Sequence, residues 1–326
     1  MTKRLAALFL AGALPLATPA LATAPDANAE LVAALADQRE RDQRLLDIGW
    51  KLATANAPYC EETRPDIGLM LLDTGGFREP DAINRALGVP GRVIVQAVAP
   101  GSPAASAGLQ PGMRIAMIGD WLPDEAFATD APAWKGLIDA YTQIDGPLRS
   151  DGAIGLVFRD MDGDHRYIVI EGVPACAMRM EQRDGEDRAR ADGQRILIGS
   201  RFPGFGYPED ELAAAIAHEM AHIVLGHSAW LERDGRTRRN IRRTEREADR
   251  LAPWLLANAG YDPRAMERFM RRWGPDHSGG LLRKRTHDGW DERAEAIAAE
   301  TALVERAMAQ DGRADWKTRF VRGAAG

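Results

Sequence analysis

Residues 211–227 read ELAAAIAHEMAHIVLGH, and this stretch decides how the rest of the chain is interpreted. Its strong helix formers and the acidic residues of its first turn predict an α-helix. The helix carries His218, Glu219 and His222 in the pattern HExxH. Because residues four apart share a helix face, both imidazoles can bind one zinc ion, while Glu219 is turned by about 100° and can reach a metal-bound water. Zinc would acidify that water and polarise a substrate carbonyl, and the carboxylate would take the proton.

Zinc needs a third protein ligand, and the residues after His222 narrow the choice. The pattern HExxHxxGxxH requires a glycine and a histidine where this chain has Leu225 and Ser228, so that class of site is excluded. The segment TEREADRLA follows, with Glu245 and Asp249 four apart on a second predicted helix. We expect Glu245 to complete the site and Asp249 to accept a hydrogen bond from a ligating imidazole, in the first instance that of His218.

Other polar residues near these motifs are not predicted to bind metal. Glu247 points away from the site and is predicted to be a solvated surface acid. His227 lies five residues after His222, about 140° around the helix, and is predicted to pack or to support a ligand. A basic run between the two helices is predicted to be a solvated loop, with anionic lipid or an acidic protein segment as the alternative partner; it comprises Arg233, Arg236, Arg238, Arg239, Arg242 and Arg243.

The part of the chain from about residue 64 to 174 has short apolar runs broken by Gly and Pro. A helix is expected between residues 134 and 144, and a shorter one within GSPAASAGLQPGMRI at 101–115. Strands are predicted at 67–72, 93–98, 115–118, 154–158 and 167–170.

The stretch GSPAASAGLQPGMRI resembles a PDZ domain of the bacterial type, because it joins a Gly-Ser-Pro turn, a small-residue helix and a Gly-Leu-x-Pro-Gly turn into a strand. Met113 stands where that pattern usually has Asp. The resemblance implies that an extended peptide adds to a sheet edge, and that a loop caps its carboxylate; this loop would be Ile67, Gly68, Leu69 and Met70. The alternative is a PDZ fold with a blocked groove that only supports the next domain.

From Cys176 onward the pattern becomes mainly helical. Two strands are predicted first, at about 177–182 and 195–199, and then helices at about 209–226, 241–257, 263–273 and 290–309. The motifs ELAAAIAHEMAHIVLGH, EREAD and AGYDP together resemble the M48 family of zinc metallopeptidases over about residues 176–300.

The M48 resemblance implies roles for individual residues. It implies one Zn²⁺ per chain, held by His218, His222 and Glu245, with Glu219 as the base and Asp249 bonded to a ligand. It also implies that the strand at 195–199 presents its edge to the substrate. Where the family often has a His-Pro pair, this chain reads Thr286-His287-Asp288. His287 is expected either to approach the zinc, as a latent ligand or an oxyanion donor, or to be a surface or capping histidine, and segment 274–280 is expected to form a lid.

The first 22 residues have the features of an export signal: Lys3 and Arg4, an apolar run, and Ala20-Leu21-Ala22. An uncleaved anchor is the alternative. No later run is apolar enough to predict a membrane span in the mature chain. The chain has two cysteines, Cys60 and Cys176, and the oxidising compartment that an export signal implies favours a disulfide between them. The predicted location is the periplasm.

The predicted fold class is α+β, with a β-rich PDZ domain before a mainly helical gluzincin-type peptidase domain that carries a small β-hairpin. The expected segments are a signal peptide at 1–22, a helical segment at 23–63, the PDZ domain at 64–175, the peptidase domain at 176–310 and a tail at 311–326. The composition is that of a globular protein, with 45% hydrophobic residues, and a net charge of -6 gives no basic field that would bind nucleic acid.

These observations predict an exported zinc endopeptidase acting on extended or unfolded polypeptides of the cell envelope. Its PDZ domain would select exposed C-termini, and peripheral membrane contact is an additional expectation. Two alternatives stay open: a latent protease that acts mainly as a peptide-binding or chaperone module, and an aminopeptidase. The aminopeptidase would need a site for a free amine, for which the sequence has no motif.

Overall fold

The computed structural model describes residues 27–125, 135–160, 162–277 and 289–323. The expected export signal at 1–22 and His287 lie outside the described residues. The helices in these ranges are α1 (Ala27–Asn56), α2 (Pro80–Leu87), α3 (Pro103–Ser106), α4 (Lys135–Asp151), α5 (Glu209–Val224), α6 (His227–Asp234), α7 (Arg238–Asn258), α8 (Ala265–His277), α9 (Trp290–Asp311) and α10 (Trp316–Arg319). The strands are β1 (Thr63–Asp66), β2 (Leu69–Asp73), β3 (Val93–Val98), β4 (Arg114–Ile118), β5 (Ala153–Arg159), β6 (His165–Glu171), β7 (Val173–Cys176), β8 (Arg179–Arg183), β9 (Ala189–Asp192) and β10 (Arg195–Gly199). The mixed α+β class predicted from the sequence is confirmed.

The first half of the chain is built on an antiparallel sheet of five strands in the order β2-β3-β4-β5-β6. Every second residue of β5 is buried, which is the pattern of a strand with one face on a core. Helix α4 closes that core with Ala140, Ile144 and Leu148. The Gly-Ser-Pro turn starts α3, because the Ser102 side chain accepts a hydrogen bond from the backbone N–H of Ala105.

The second half packs α5 against α7 and α8, with α9 on the far side of both α7 and α8. All residues from Leu212 to Ala217 on α5 are buried, so this helix lies inside the helical layer rather than on its surface. Trp254 of α7 is 2% exposed, and its indole N–H donates to Glu300 of α9 over 2.8 Å. That bond satisfies the one polar atom of a large buried side chain.

A three-stranded sheet lies beside α5, in the order β8-β10-β9. Strand β10 is parallel to β8 and antiparallel to β9. The expectation that residues 195–199 form the edge facing the substrate is therefore wrong, because β10 is the central strand and β9 is the edge next to α5. The error arose because β9 is a four-residue strand of sequence ARAD, too short and too polar to be recognised as a strand.

Helix α1 joins the two halves. Leu45, Ile48 and Leu52 of α1 belong to the core of the helical half, and the Gln43 side chain donates to the backbone of Val98 on β3 over 2.8 Å. After α1, Cys60 forms a disulfide with Cys176 at the end of β7, with a Cα–Cα distance of 5.6 Å. The predicted disulfide is confirmed, and it is consistent with an extracytoplasmic location.

Most predicted elements are present, with ends shifted by a few residues. Helices α2 and α6 were not predicted, and α4 extends beyond the predicted end through Pro147 to Asp151. Across the described ranges, no helix combines the length and the apolar character that crossing a bilayer requires.

Candidate metal centre

Helix α5 brings the HExxH residues to the middle of the helical half. Its first turn is acidic at 209–211, which favours a helix N-terminus. Ala214, Ala217 and Ala221 are fully buried, and their small side chains let α7 pack closely against α5. The close packing brings Glu245 of α7 opposite the two histidines.

The predicted ligand atoms converge on one point. The Nε2 atoms of His218 and His222 are 3.2 Å apart. The carboxylate oxygens of Glu245 lie 3.7 Å from Nε2 of His218 and 3.6 Å from Nε2 of His222. A tetrahedral zinc site with bonds of about 2.0–2.1 Å spaces its ligand atoms by about 3.4 Å. The three residues can therefore hold a metal ion, and two imidazoles with one carboxylate are a donor set that zinc accepts.

Asp249, predicted to contact a ligating imidazole, lies beside His218. Its Oδ1 atom lies 3.1 Å from Nδ1 of His218, the ring nitrogen that faces away from the other ligands. Arg293 of α9 fixes the carboxylate with two hydrogen bonds of 2.6 and 2.7 Å. Burial opposes ionisation of Asp249, but Arg293 and His218 hold its pKa below the usual range. Asp249 is thus an anion that lies within ion-pair distance of Nδ1 of His218.

The charges of the cluster balance one another. Burial disfavours a charged His218, but Asp249 and Glu245 outweigh burial and raise its pKa to about 10. For His222, burial and the neighbouring His218 charge both lower the pKa. Burial also opposes ionisation of Glu245, yet His218, His222 and Arg293 hold its pKa well below the usual range. The cluster therefore presents an ionised carboxylate and an uncharged His222.

Glu219 lies next to the ligands and has a different electrostatic environment. Burial raises its pKa to about 7, with the negative charge of Glu245 acting in the same direction and His218 opposing it. The backbone N–H of Ala191 on β9 is directed toward the Glu219 carboxyl group and lowers its pKa, against the effect of burial. A carboxyl group with a pKa near neutrality can both accept and release a proton at physiological pH.

His227 contacts a ligand, and Glu247 is not a surface acid. The Nδ1 atom of His227 lies 2.9 Å from Nδ1 of His222, and its Nε2 atom lies 3.3 Å from Glu247. Glu247 is 2% exposed, so the predicted solvated position is wrong. The position predicted for His227, about 140° around the helix from His222, assumed one continuous helix, whereas α5 ends at Val224 and Gly226, with φ 64°, turns the chain into α6. That turn brings His227 back beside His222.

A cavity of about 510 Å³ opens over the ligands. One wall is largely apolar and aromatic, with Met266, Phe269, Met270, Trp273 and Trp290. The lining also includes three arginines, Arg188, Arg190 and Arg236. At the end of α8, His277 stacks on Trp273 with a centroid distance of 4.1 Å. The remainder of the lid predicted at 274–280 and His287 lie outside the described residues.

Strand β9 presents its free edge to this cavity. The carbonyl of Arg188, just before β9, accepts a hydrogen bond from Gly199 of β10. Because backbone groups alternate in direction along a strand, Ala189 and Ala191 point their N–H and C=O groups away from β10. The direction of the Ala191 N–H toward Glu219 agrees with that alternation.

The loop expected to bind a peptide carboxylate is engaged within the chain. Ile67, Leu69 and Met70 are buried, and Gly68 has a left-handed φ of 70°. The Gly68 N–H donates to the side chain of Asp66 over 2.9 Å. A carboxylate of the chain itself therefore binds an amide that the resemblance assigned to a peptide terminus.

Several residues of the site carried no usable signal in the sequence. Arg293 is remote from both motifs, and Ala191 is contributed by its backbone. Gly226 is the exception: a glycine just after a helical run often ends a helix, and this signal could have separated His227 from the helix of His222. No protein-family model matches the chain, and no curated protein sequence matches it either.

Proposed function

We propose that the chain is a zinc-dependent endopeptidase of the M48 type, with His218, His222 and Glu245 holding one Zn²⁺ and Glu219 acting as the general base. The observation that carries the proposal is the convergence of the three ligands beside Glu219 under a cavity of about 510 Å³. A carboxyl group with perturbed pKa next to a metal-binding group in a cleft is a typical hydrolytic arrangement.

The residues of the site have separate tasks in this mechanism. Bound zinc would supply a polarised carbonyl and an acidified water. Glu219 would accept a proton on its carboxylate and deliver it to the leaving amine, for which a pKa of about 7 is suitable. Asp249 orients the imidazole of His218 through Nδ1, and Arg293 keeps the Asp249 carboxylate in position.

The free edge of β9 gives the substrate a place to lie. An extended peptide can pair with the N–H and C=O groups of Ala189 and with the C=O group of Ala191 as an added strand. This pairing would hold the peptide beside Glu219, because the Ala191 N–H is directed toward that carboxyl group. Main-chain pairing is independent of side-chain identity, so it favours unfolded chains over folded ones.

The proposed setting is the periplasm, with unfolded or misassembled envelope proteins as substrates. The disulfide between Cys60 and Cys176 and the export signal at the start of the sequence support export. The substrate class follows from the M48 resemblance. The unit containing the five-stranded sheet is proposed to be PDZ-like, with the Gly68 amide of its expected carboxylate-binding loop already bound to Asp66.

The test is mass spectrometry of an unfolded protein incubated with the chain from residue 23 onward, loaded with zinc. Wild type is compared with Glu219→Gln, with chelator-treated wild type, and with Glu232→Gln, which removes an exposed acid of α6 as a matched control. We expect internal cleavage by wild type and by the control. Glu219→Gln should be slower by about 10²–10⁴-fold, the usual contribution of a general base.

The other outcomes identify the alternatives. Products shortened one residue at a time from the N-terminus would indicate an aminopeptidase. No cleavage by zinc-loaded wild type would indicate a latent enzyme or a peptide-binding module. Equal cleavage by Glu219→Gln would exclude Glu219 as the base.

A further inference from the structure

The C-terminal segment reaches the metal centre through a chain of hydrogen bonds. Beyond α10, Arg322 donates from Nε to Oε2 of Glu247 over 3.0 Å. Arg243 donates to the other carboxylate oxygen over 2.9 Å. Glu247 is next to His227, and His227 is next to His222. Three of these contacts, Arg322–Glu247, Glu247–His227 and His227–His222, connect the last described residues of the chain to a metal ligand.

The direction of each hydrogen bond follows from imidazole chemistry. When Nε2 of His222 binds a metal ion, the proton of the neutral ring sits on Nδ1, which then donates to Nδ1 of His227. His227 accepts on Nδ1 and so carries its own proton on Nε2, which donates to Glu247. Only the uncharged form of His227 fits this arrangement. A charged ring would carry a proton on Nδ1 as well, and this N–H would then face the Nδ1–H group of His222. The carboxylate of Glu247 selects the tautomer of His227 that carries its proton on Nε2.

The two metal-binding histidines are thus supported in different ways. His218 meets the carboxylate of Asp249 directly at 3.1 Å, whereas His222 reaches a carboxylate through an intervening imidazole. Both carboxylates come from α7 and both are held by arginines. His227 is 1% exposed, so its imidazole, and not bulk solvent, occupies the acceptor position beside His222.

The C-terminal segment is anchored well enough to hold Arg322 in place. The indole of Trp316 is buried and donates to Asn56 of α1 over 3.0 Å. Arg250 of α7 donates to the backbone of Val321 and lies over the ring of Phe320 at 5.2 Å. The segment therefore follows α7 and delivers Arg322 to Glu247.

We propose that His227, Glu247 and Arg322 are positioning residues that fix the ring of His222 for metal binding, so that the C-terminal segment is part of the metal centre. The proposal rests on the metal site of the proposed function, and not on the peptidase reaction. Partners of ligating histidines typically change metal affinity by about 10–100-fold.

The experiment measures zinc affinity by competition with a chromophoric chelator, together with the visible absorption spectrum of the cobalt(II) protein, on the full mature chain. His227→Leu fills the space but cannot accept a hydrogen bond, and we expect about 10–100-fold weaker zinc binding and an altered cobalt spectrum. His227→Asn retains an acceptor near Nδ1 and should recover part of the loss. The zinc affinities of Glu247→Gln and Arg322→Ala should lie between those of wild type and His227→Leu.

Arg319→Ala is the matched control, because Arg319 lies in the same segment but pairs with Asp311. It should bind zinc as wild type does. Thermal unfolding without metal shows which variants fold, and the half-exposed Arg322 provides a test even if His227→Leu does not fold. Wild-type zinc affinity and cobalt spectrum in Arg322→Ala and Glu247→Gln would overturn the proposal, as would failure of wild type to bind either metal. If the variants change zinc affinity and the cobalt spectrum as expected but wild type cleaves no peptide, only the proposed function is overturned.

Discussion

Arg179 of β8 donates from Nη2 to both carboxylate oxygens of Asp145 on α4, over 2.9 and 3.0 Å. The same guanidinium lies 3.6 Å from the centre of the Tyr141 ring. Tyr141 in turn accepts a hydrogen bond from the backbone N–H of Leu71 on β2. The second half of the chain therefore covers the groove between β2 and α4, where about 50 Å³ of space is left against the roughly 300–1,000 Å³ of a ligand pocket.

This closure predicts weak peptide binding by the groove. We expect wild type to bind a labelled peptide with a free C-terminus poorly, and Arg179→Ala to bind it more tightly because the cover is removed. Fluorescence anisotropy measures the dissociation constants. Arg183→Ala, which removes a more exposed arginine of β8, is the control and should behave as wild type. Tight binding by wild type, unchanged in Arg179→Ala, would show that the groove is open.

The disulfide should contribute strongly to stability. Cys60 and Cys176 are 116 residues apart, and closing a loop of that size is worth about 4–5 kcal/mol in the unfolded-chain entropy model. We expect the double variant Cys60→Ala/Cys176→Ala to lose about 2–5 kcal/mol in the free energy of unfolding, measured by denaturant titration. Reductant should lower the stability of wild type and leave the double variant unchanged. An equal stability of both proteins would mean that β1, β7 and α1 hold the two halves without the crosslink.

Zinc should stabilise the fold, because its ligands come from two helices. At a zinc concentration 100 times the dissociation constant, the gain is about 2.7 kcal/mol. Thermal unfolding with and without zinc should show that zinc raises the melting temperature of wild type and of Glu267→Ala. Glu267 is an acid of α8 outside the cluster. Glu245→Ala should show little increase, since one of three ligands is lost. A full zinc effect in Glu245→Ala would place the metal elsewhere.

Asp42 should make stability depend on pH at a position far from the metal-binding group. This carboxyl group of α1 is 4% exposed beside Gln96 of β3, and burial raises its pKa from 3.8 to about 6. A raised pKa means that the folded chain binds this proton more tightly than the unfolded chain does. The contribution of protonated Asp42 to folding stability is therefore full below pH 3.8 and is lost as the pH rises through about 6.

The pKa shift of Asp42 corresponds to about 2–3 kcal/mol of folding stability lost at neutral pH. Asp42→Asn should therefore be more stable than wild type at pH 7.5, with the difference vanishing near about pH 4. Denaturant titrations across that range measure it, and Asp37→Asn, an exposed position on the same helix, is the control. A constant difference at all pH values would contradict the assignment to Asp42.

The substrate position along β9 can be tested through one backbone group. Ala189→Pro removes an N–H that points away from β10, so the sheet keeps its hydrogen bonds. We expect cleavage of an extended peptide to fall by about tenfold or more, the equivalent of one lost hydrogen bond of about 1.4 kcal/mol, with zinc affinity unchanged. Ala189→Val keeps the N–H and is the matched control. Equal loss in both variants would indicate a steric effect rather than strand pairing.

Much of the candidate site could be predicted from local sequence. The i, i+4 spacing of His218 and His222, and of Glu245 and Asp249, fixes which side chains share a helix face, because the helical period is a local property. The cysteine pair was similarly predictable, since the chain has no other cysteine. The periodicity of apolar residues also gave most helices and strands and the α+β class.

Only the tertiary structure decided which remote groups meet the site. The packing of α9 brings Arg293 to Asp249, the break at Gly226 brings His227 to His222, and the C-terminal segment brings Arg322 to Glu247. Packing also made β9 the exposed edge and closed the groove beside β2. Local periodicity determines the direction of a side chain within its own helix or strand. The partner that the side chain meets depends on how separate elements pack. Contacts between residues distant in sequence determine that packing.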